Sequence, residues 1–130
     1  IGNIDKFDSK IKQKLNNLQE STHSFSKLNF TLALSYGSRA EIVDAIKRLN
    51  KNNEKITEIS ISQNLMTKNY PDPDLIIRTS GEMRLSNFLL WQVAYSELYF
   101  TKTLWPEFTS HKYLLALKNY VNRKRRFGGD

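Results

Sequence analysis

The polar stretch RTSGEMRLS, residues 78–86, follows an apolar segment that is typical of a buried strand. Arg78 and Arg84 can each hold phosphate oxygens through two parallel N–H donors. Ser86 adds a hydroxyl group, and Gly81 lets backbone N–H groups approach a ligand. These residue types, gathered in one loop, predict a diphosphate-binding site.

The same loop also has a purely structural interpretation. Arg78 could pair with Glu82 or Asp74, Ser86 could serve only as a helix cap, and Gly81 only as a turn residue. A lone arginine would favour that interpretation. The convergence of two arginines, a cap serine and a glycine favours phosphate binding, although neither a Walker loop nor a G-x-G-x-x-G pattern occurs.

A second polar segment, SYGSR at 35–39, lies at the carboxyl end of another predicted strand. Ligands of open α/β sheets bind beyond the carboxyl ends of the strands. We therefore expect both loops at that edge.

Glu97 lies between an apolar segment and the predicted strand ELYF. It has two interpretations. One is a structural ion pair with an arginine, and the other is a Mg²⁺ ligand, since Mg²⁺ commonly takes one or two carboxylates together with phosphate and water.

Hydrophobic periodicity and turn residues predict the elements that position these side chains. Ser38 and Glu41 have capping-box spacing, and Ser86 is expected to cap a central apolar helix. Predicted helices cover 8–18, 38–49, 60–67, 87–95 and 110–127, and predicted strands cover 28–37, 75–78 and 97–100. The alternation predicts an α/β fold, a mostly parallel central sheet with flanking helices.

Composition excludes several classes of protein. The 130 residues suit one domain, and the chain lacks cysteine and has two histidines, so thiolate and histidine metal sites are disfavoured. No apolar run reaches the length of a membrane span. The net charge of +7 suits either a polyanionic partner or simple solubility. The terminal NRKRRFGG fits a solvated helix end, a nucleic-acid patch, or an arm reaching a partner subunit.

The segment DLIIRTSGEMRLSNFLLWQVAYSELYFTKTLWPEF closely resembles the C-terminal signature of the cis-prenyltransferases, the undecaprenyl diphosphate synthase family. LALSYGSRAEIVDAIKRL, IGNIDKF and NRKRRFGG fall in the family's order and spacing. The resemblance implies the cis-prenyltransferase fold and a Mg²⁺-dependent enzyme that condenses isopentenyl diphosphate onto an allylic diphosphate, usually farnesyl diphosphate. The product would be a polyprenyl diphosphate carrier such as undecaprenyl diphosphate.

The resemblance also assigns roles to matching residues. It implies that isopentenyl diphosphate is bound by Arg78, Arg84, Leu85 and Ser86, with Gly81 and Glu82 supporting the loop. Glu97 would bind the metal, and Arg126 and Gly128 would contact the diphosphate of a partner subunit in a homodimer. No catalytic residue is assigned in this segment. A cytoplasmic enzyme, in peripheral contact with membrane through its lipid product, is implied.

The family's M-D-G-N-G-R-W motif is absent, so we expect residues 1–130 to be the C-terminal portion of a single domain, inactive by themselves. One alternative is a catalytically silent partner subunit of a prenyltransferase. Another is a basic nucleic-acid-binding module, supported only by the net charge and RKRR; the family resemblance instead implies no nucleic-acid partner.

Overall fold

The computed structural model describes residues 1–124, which divide between two compact units, Ile1–Asn69 and Tyr70–Asp130. The first unit holds α1 (Ser9–Thr22), α2 (Ser38–Lys51) and α3 (Glu58–Ser62), with a 3₁₀ turn at Ile4–Lys6. The second holds β1 (Leu75–Arg78), β2 (Glu97–Phe100) and α4 (Ser110–Val121), with a 3₁₀ turn at Trp105–Glu107. Helices and parallel strands together confirm the predicted α/β class.

In the first unit, helix α1 begins as predicted, because the Asp8 carboxylate accepts the backbone N–H of Ile11 at 2.9 Å. Helix α2 buries Ala45 and Leu49 completely, on the apolar face that the sequence predicts. These two side chains lie at the centre of the core of the first unit.

The capping box predicted for α2 is wrong. Gly37 is the N-cap, Ser38 is the first helical residue, and the helix has no side-chain cap. Glu41 is 2% exposed, and its carboxylate accepts the backbone N–H of Met66 at 2.8 Å. A capping box forms instead at α3, between Thr57 and Ser60, and α3 begins two residues before the predicted helix.

The strand predicted over 28–37 does not form. Its only ladder contact among the described residues is an isolated parallel bridge between Gly2 and Leu34, beside a bond from the Leu34 N–H to the Ile1 carbonyl at 2.9 Å. A strand needs a neighbour of similar length for its backbone groups, and here the neighbour is one short segment. Phe30 accordingly remains 77% exposed.

In the second unit, β1 and β2 have the predicted bounds and pair in parallel, with Leu75 opposite Glu97 and Arg78 opposite Phe100. Helix α4 begins at the predicted Ser110, buries Ala116 and contacts β2. The helix ends at Val121, and the last residues of the predicted helix, from 125 onward, lie outside the described residues.

The helix predicted over 87–95 is wrong. The segment forms a series of turns, and Ser86, Asn87 and Leu89 all have positive φ, at 48°, 63° and 47°. Left-handed residues cannot start a right-handed helix, since each places Cβ against the following carbonyl. Ser86 therefore caps no helix, contrary to the prediction.

Candidate functional site

Arg78, the last residue of β1, holds the loop that follows it. Its Nη1 donates to the hydroxyl oxygen of Ser86 at 3.0 Å and also to the backbone carbonyl of Arg84. Its own carbonyl accepts the N–H of Thr101 at 2.9 Å, which continues the pairing with the β2 side of the sheet. Arg78 is thus fixed at its backbone by the sheet, and its guanidinium brings Arg84 and Ser86 together.

Gly81 makes the turn in this loop. Its φ of +73° lies in the left-handed region, and its N–H donates to the Thr101 carbonyl at 2.8 Å. The neighbouring N–H of Ser80 donates to the Thr103 carbonyl at 2.9 Å. Both backbone N–H groups therefore donate to the segment after β2. In this structure Gly81 acts as a turn residue, which is the structural alternative considered for it above.

Arg84 forms an ion pair with Glu82 within the loop. The side chains are 63% and 42% exposed, so water screens the pair and its contribution to stability is small. A multiply charged anion can replace one exposed carboxylate at little cost. Arg84 is therefore more accessible than Arg78, which is half-buried.

Leu85 and Ser86 complete the predicted set. Leu85 is half-buried, and its carbonyl accepts the N–H of Phe88 at 3.0 Å. Ser86 is exposed and presents its hydroxyl oxygen to Arg78. The structure therefore brings four predicted residues, Arg78, Arg84, Leu85 and Ser86, into one short loop, with Gly81 and Glu82 in the same turn.

Glu97 lies elsewhere in the unit. It is the first residue of β2 and is paired with Leu75, whereas Arg78 is at the opposite end of β1. Three residues of parallel strand separate the two positions by about 10 Å. Within one chain, Glu97 is therefore not part of the loop formed by residues 78–86, the Arg78 loop.

The Glu97 carboxylate is bound by Arg123, with Nη1 at 2.6 Å from Oε2 and side chains that are 25% and 32% exposed. The structural interpretation of Glu97 as the partner of an arginine is thus observed. Over residues 1–124, no cluster of three or more histidines or carboxylates suits a metal ion. Glu97 does offer one partly exposed carboxylate, and this matches Mg²⁺ that takes its other ligands from water and phosphate.

Sequence reasoning missed Arg123, which was counted only within the basic run NRKRR. The signal that could have found it is Asn119, four residues earlier on α4, since residues at that spacing are neighbours on a helix. Arg123 Nε donates to Asn119 Oδ1 at 2.9 Å. Arg126 and Gly128, predicted to contact a partner's diphosphate, lie outside the described residues.

Sequence reasoning also missed the role of Glu41 in the second polar loop. The Tyr36 hydroxyl donates to Glu41 Oε2, and the Met66 N–H donates to Oε1 at 2.8 Å. Glu41 thereby joins the loop before α2 to the segment after α3. The loop at 35–39 belongs to the first unit and the Arg78 loop to the second. That both loops lie at the carboxyl edge of one sheet therefore stays a prediction.

An apolar cleft of about 480 Å³ lies on the second unit, and Ile77, Trp105, Phe108 and Tyr113 are among its lining residues. The rings of Trp105 and Phe108 are stacked, 6.4 Å apart and 13° from parallel. Because side chains alternate along a strand, Ile77 and Arg78 point to opposite faces of the sheet. Thr79, which follows Arg78 in the loop, also lines the cleft, so the cleft borders the loop on the Ile77 side. No helix in the described part of the chain has the length and hydropathy of a membrane span.

A family model described as "Putative undecaprenyl diphosphate synthase" matches residues 1–128. The isoprenyl transferase of Fusobacterium nucleatum subsp. nucleatum is 50% identical over 129 residues, which make up 98% of this chain and 56% of that protein. The tritrans,polycis-undecaprenyl-diphosphate synthase (geranylgeranyl-diphosphate specific) of Picrophilus torridus is 47% identical over 135 residues, covering 98% of this chain and 53% of that protein.

Two solved structures are similar. A probable undecaprenyl diphosphate synthase of Campylobacter jejuni superposes with a TM-score of 0.88 at 38% identity, over 99% of this chain and 61% of that one. Lavandulyl diphosphate synthase of Lavandula x intermedia, in complex with dimethylallyl diphosphate, gives 0.93 at 35% identity, over 99% and 58%. The chain spans between 53% and 61% of the length of these four proteins. On both sequence and structure, the chain belongs to the undecaprenyl diphosphate synthase family of cis-prenyltransferases.

Proposed function

We propose that these residues form the isopentenyl-diphosphate-binding portion of a cis-prenyltransferase. The enzyme condenses isopentenyl diphosphate with an allylic diphosphate, farnesyl diphosphate in our proposal, and makes a polyprenyl diphosphate carrier lipid such as undecaprenyl diphosphate. The observation that carries the proposal is the loop in which the Arg78 guanidinium gathers Ser86 and the exposed Arg84. Family membership supports the reaction class.

The residues of this loop have distinct parts in the proposal. Arg84 exchanges its Glu82 partner for diphosphate oxygens, because a diphosphate carries more charge than one carboxylate. Ser86 donates its hydroxyl proton to a phosphate oxygen while accepting from Arg78. Arg78 keeps the loop in shape and has further guanidinium donors for the ligand.

A loop that holds a diphosphate group suits isopentenyl diphosphate, because this substrate keeps its diphosphate during the reaction. In the condensation, the allylic C–O bond breaks, diphosphate leaves, the isopentenyl double bond attacks the allylic carbon, and a proton is lost from the isopentenyl unit. Fixing the isopentenyl diphosphate group aims its double bond at the developing cation, so the loop acts through orientation. Dimethylallyl diphosphate, the compound bound in the lavandulyl diphosphate synthase structure, is an allylic diphosphate.

Mg²⁺ is part of the proposal. When bound, the metal neutralises diphosphate charge, and Glu97 is the described residue that would hold it, as a single carboxylate ligand. Glu97 and the Arg78 loop occupy opposite ends of the strand pair in one chain. A homodimer, with Arg126 and Gly128 directed to the partner's diphosphate, belongs to the same proposal, as does membrane contact through the lipid product.

A silent partner subunit is the competing function. If the protein is a silent partner subunit, we expect the Arg78 loop not to bind isopentenyl diphosphate, whereas in a synthase the loop binds it. A nucleic-acid module is a weaker competitor, because Arg78, Arg84 and Arg123 are each engaged within the chain. Steeply salt-dependent binding to duplex or single strands would favour that module.

The test has two measurements on the protein. Binding of labelled isopentenyl diphosphate is measured by equilibrium filtration, and incorporation into butanol-extractable product is measured with farnesyl diphosphate and Mg²⁺. We expect binding that Arg84→Gln weakens and that Lys112→Gln, which removes one exposed charge from α4, leaves unchanged. Binding without incorporation would favour a holding subunit over a complete enzyme. Absence of both would contradict the proposal.

A further inference from the structure

The partly buried ion pair between Arg123 and Glu97 joins the end of α4 to the start of β2. Glu97 begins β2, and Arg123 lies two residues beyond the end of α4. Arg123 Nη1 is 2.6 Å from Glu97 Oε2, while its Nε donates to Asn119 Oδ1 at 2.9 Å. The guanidinium is therefore held at two points, one on its own helix and one on the strand.

This pair differs in burial from the other ion pair near the candidate site. Glu97 and Arg123 are 25% and 32% exposed, against 42% and 63% for Glu82 and Arg84. Water screens the partly buried pair less, and removal of one partner leaves the other with a charge that water solvates poorly. Without Arg123, the Glu97 carboxylate has a strong requirement for another cation.

We propose that Arg123 is the resident counterion of Glu97, and that a divalent cation binds this carboxylate in competition with the guanidinium. Arg123 thereby lowers the affinity of Glu97 for Mg²⁺ and couples metal binding to the end of α4. The inference rests on the proposed function, because it takes Glu97 as the metal ligand. It assigns Arg123 the part of a positioning residue that keeps the carboxylate oriented in the metal-free protein.

A simpler role for Arg123 would be to anchor α4 to the sheet. The structure contains a second anchor, since the Tyr120 hydroxyl donates to Asp74 Oδ1 at 3.2 Å, immediately before β1. Helix α4 also packs Ala116 into the core. The helix is therefore expected to stay in place in an Arg123→Gln variant, so cation binding and anchoring can be measured separately.

The experiment is titration of the protein with Mn²⁺, followed by the electron paramagnetic resonance signal of free Mn²⁺, with Mg²⁺ added as competitor. We expect Arg123→Gln to tighten Mn²⁺ binding about five- to tenfold, because a partly buried competing cation has been removed. Arg123→Lys, which keeps the positive charge, should show a smaller gain. Lys112→Gln, the matched loss of an exposed charge, should stay within about twofold of the parent, as expected for a screened surface charge.

The gain must depend on Glu97. Adding Glu97→Gln to Arg123→Gln should abolish it, and its persistence in the double variant would overturn the proposal. Unchanged or weaker Mn²⁺ binding by folded Arg123→Gln would also overturn it and leave Arg123 as an anchor of α4. Binding of labelled isopentenyl diphosphate, measured separately, distinguishes the two proposals. A Glu97-dependent gain without isopentenyl diphosphate binding contradicts only the proposed function, and isopentenyl diphosphate binding without the gain contradicts only the counterion role.

Discussion

Arg78 donates to the hydroxyl oxygen of Ser86 across 3.0 Å, so the last residue of β1 holds the far end of the loop that follows it. The same nitrogen also donates to the carbonyl of Arg84. One guanidinium thus fixes two residues that the family resemblance assigns to diphosphate binding. Its removal is therefore expected to disturb the shape of the site as well as its charge.

The first prediction concerns Arg78→Gln. The variant loses charge-assisted hydrogen bonds, each worth about 1.5–3 kcal/mol, so we expect the affinity for isopentenyl diphosphate to fall at least tenfold. Arg78→Lys should recover little, because an ammonium group cannot reproduce a fork that reaches both a carbonyl and a hydroxyl. Equilibrium filtration with labelled isopentenyl diphosphate measures the effect.

Lys112→Gln is the matched control for Arg78→Gln, since it removes one positive charge from an exposed position in the same unit. Its affinity for isopentenyl diphosphate should equal that of the parent. If both variants lost affinity to the same degree, net charge would explain the loss and the assigned role of Arg78 would be wrong.

The second prediction concerns Glu82→Gln. Glu82 neutralises Arg84 in an exposed ion pair, so its removal should tighten binding of inorganic pyrophosphate about two- to fivefold at low ionic strength. The gain should shrink as salt is raised, because exposed charges are screened. Calorimetric titration at two salt concentrations measures both effects, with the exposed Glu107→Gln as the control.

A gain that appeared equally in Glu107→Gln would mean that pyrophosphate responds to overall charge. Weaker binding in Glu82→Gln would mean that Glu82 positions Arg84 for the ligand. Either result would contradict the exchange of partners proposed for Arg84.

Local patterns predicted the elements whose stability is local. The β1 and β2 segments have their expected bounds because each is a short apolar run ended by a polar loop, and the Asp8 cap fixed the start of α1. The predicted strand over 28–37 failed for a non-local reason. Its residues have strand composition, but pairing depends on a neighbouring segment that no local pattern reveals.

The predicted site divides in the same way. Arg78, Arg84 and Ser86 meet because they share one loop, which sequence spacing alone suggests. Register places Glu97 at the other end of the strands, and pairing with Arg123 depends on where α4 packs. Neither can be deduced from spacing, because both depend on contacts between segments more than twenty residues apart. The helix predicted over 87–95 failed although its apolar residues suit a helix, because the backbone takes left-handed turns there.

The third prediction concerns Glu41, which is 2% exposed. Glu41→Ala leaves the Tyr36 hydroxyl and the Met66 N–H without their acceptor, and we expect the free energy of unfolding to fall by about 2–4 kcal/mol. Urea denaturation measures the change. Glu20→Ala, on the exposed face of α1, should change stability by less than about 0.5 kcal/mol. Similar losses in both variants would contradict the role of Glu41 as a buried acceptor.

The fourth prediction contrasts two glycines with positive φ. At Gly81 an added Cβ would lie 3.8 Å from Lys102 Cγ, in ordinary contact, so only the left-handed backbone opposes Ala. Gly81→Ala should therefore lower stability by about 1–2 kcal/mol, while its N–H keeps the bond to the Thr101 carbonyl. At Gly2 an added Cβ would lie 2.1 Å from the Leu34 carbonyl oxygen, a distance that backbone cannot tolerate.

Gly2→Ala should therefore separate the first residues from Leu34, whose N–H donates to the Ile1 carbonyl at 2.9 Å. Amide hydrogen exchange distinguishes the two responses, because local opening exposes one amide while global destabilisation affects all protected amides of a unit. We expect faster exchange at the Leu34 amide in Gly2→Ala, and retained protection of the Gly81-position amide in Gly81→Ala. If the Leu34 amide exchanged at the parent rate in Gly2→Ala, the bridge between these segments would be absent in solution. The predicted strand over 28–37 would then lack even its one observed ladder contact.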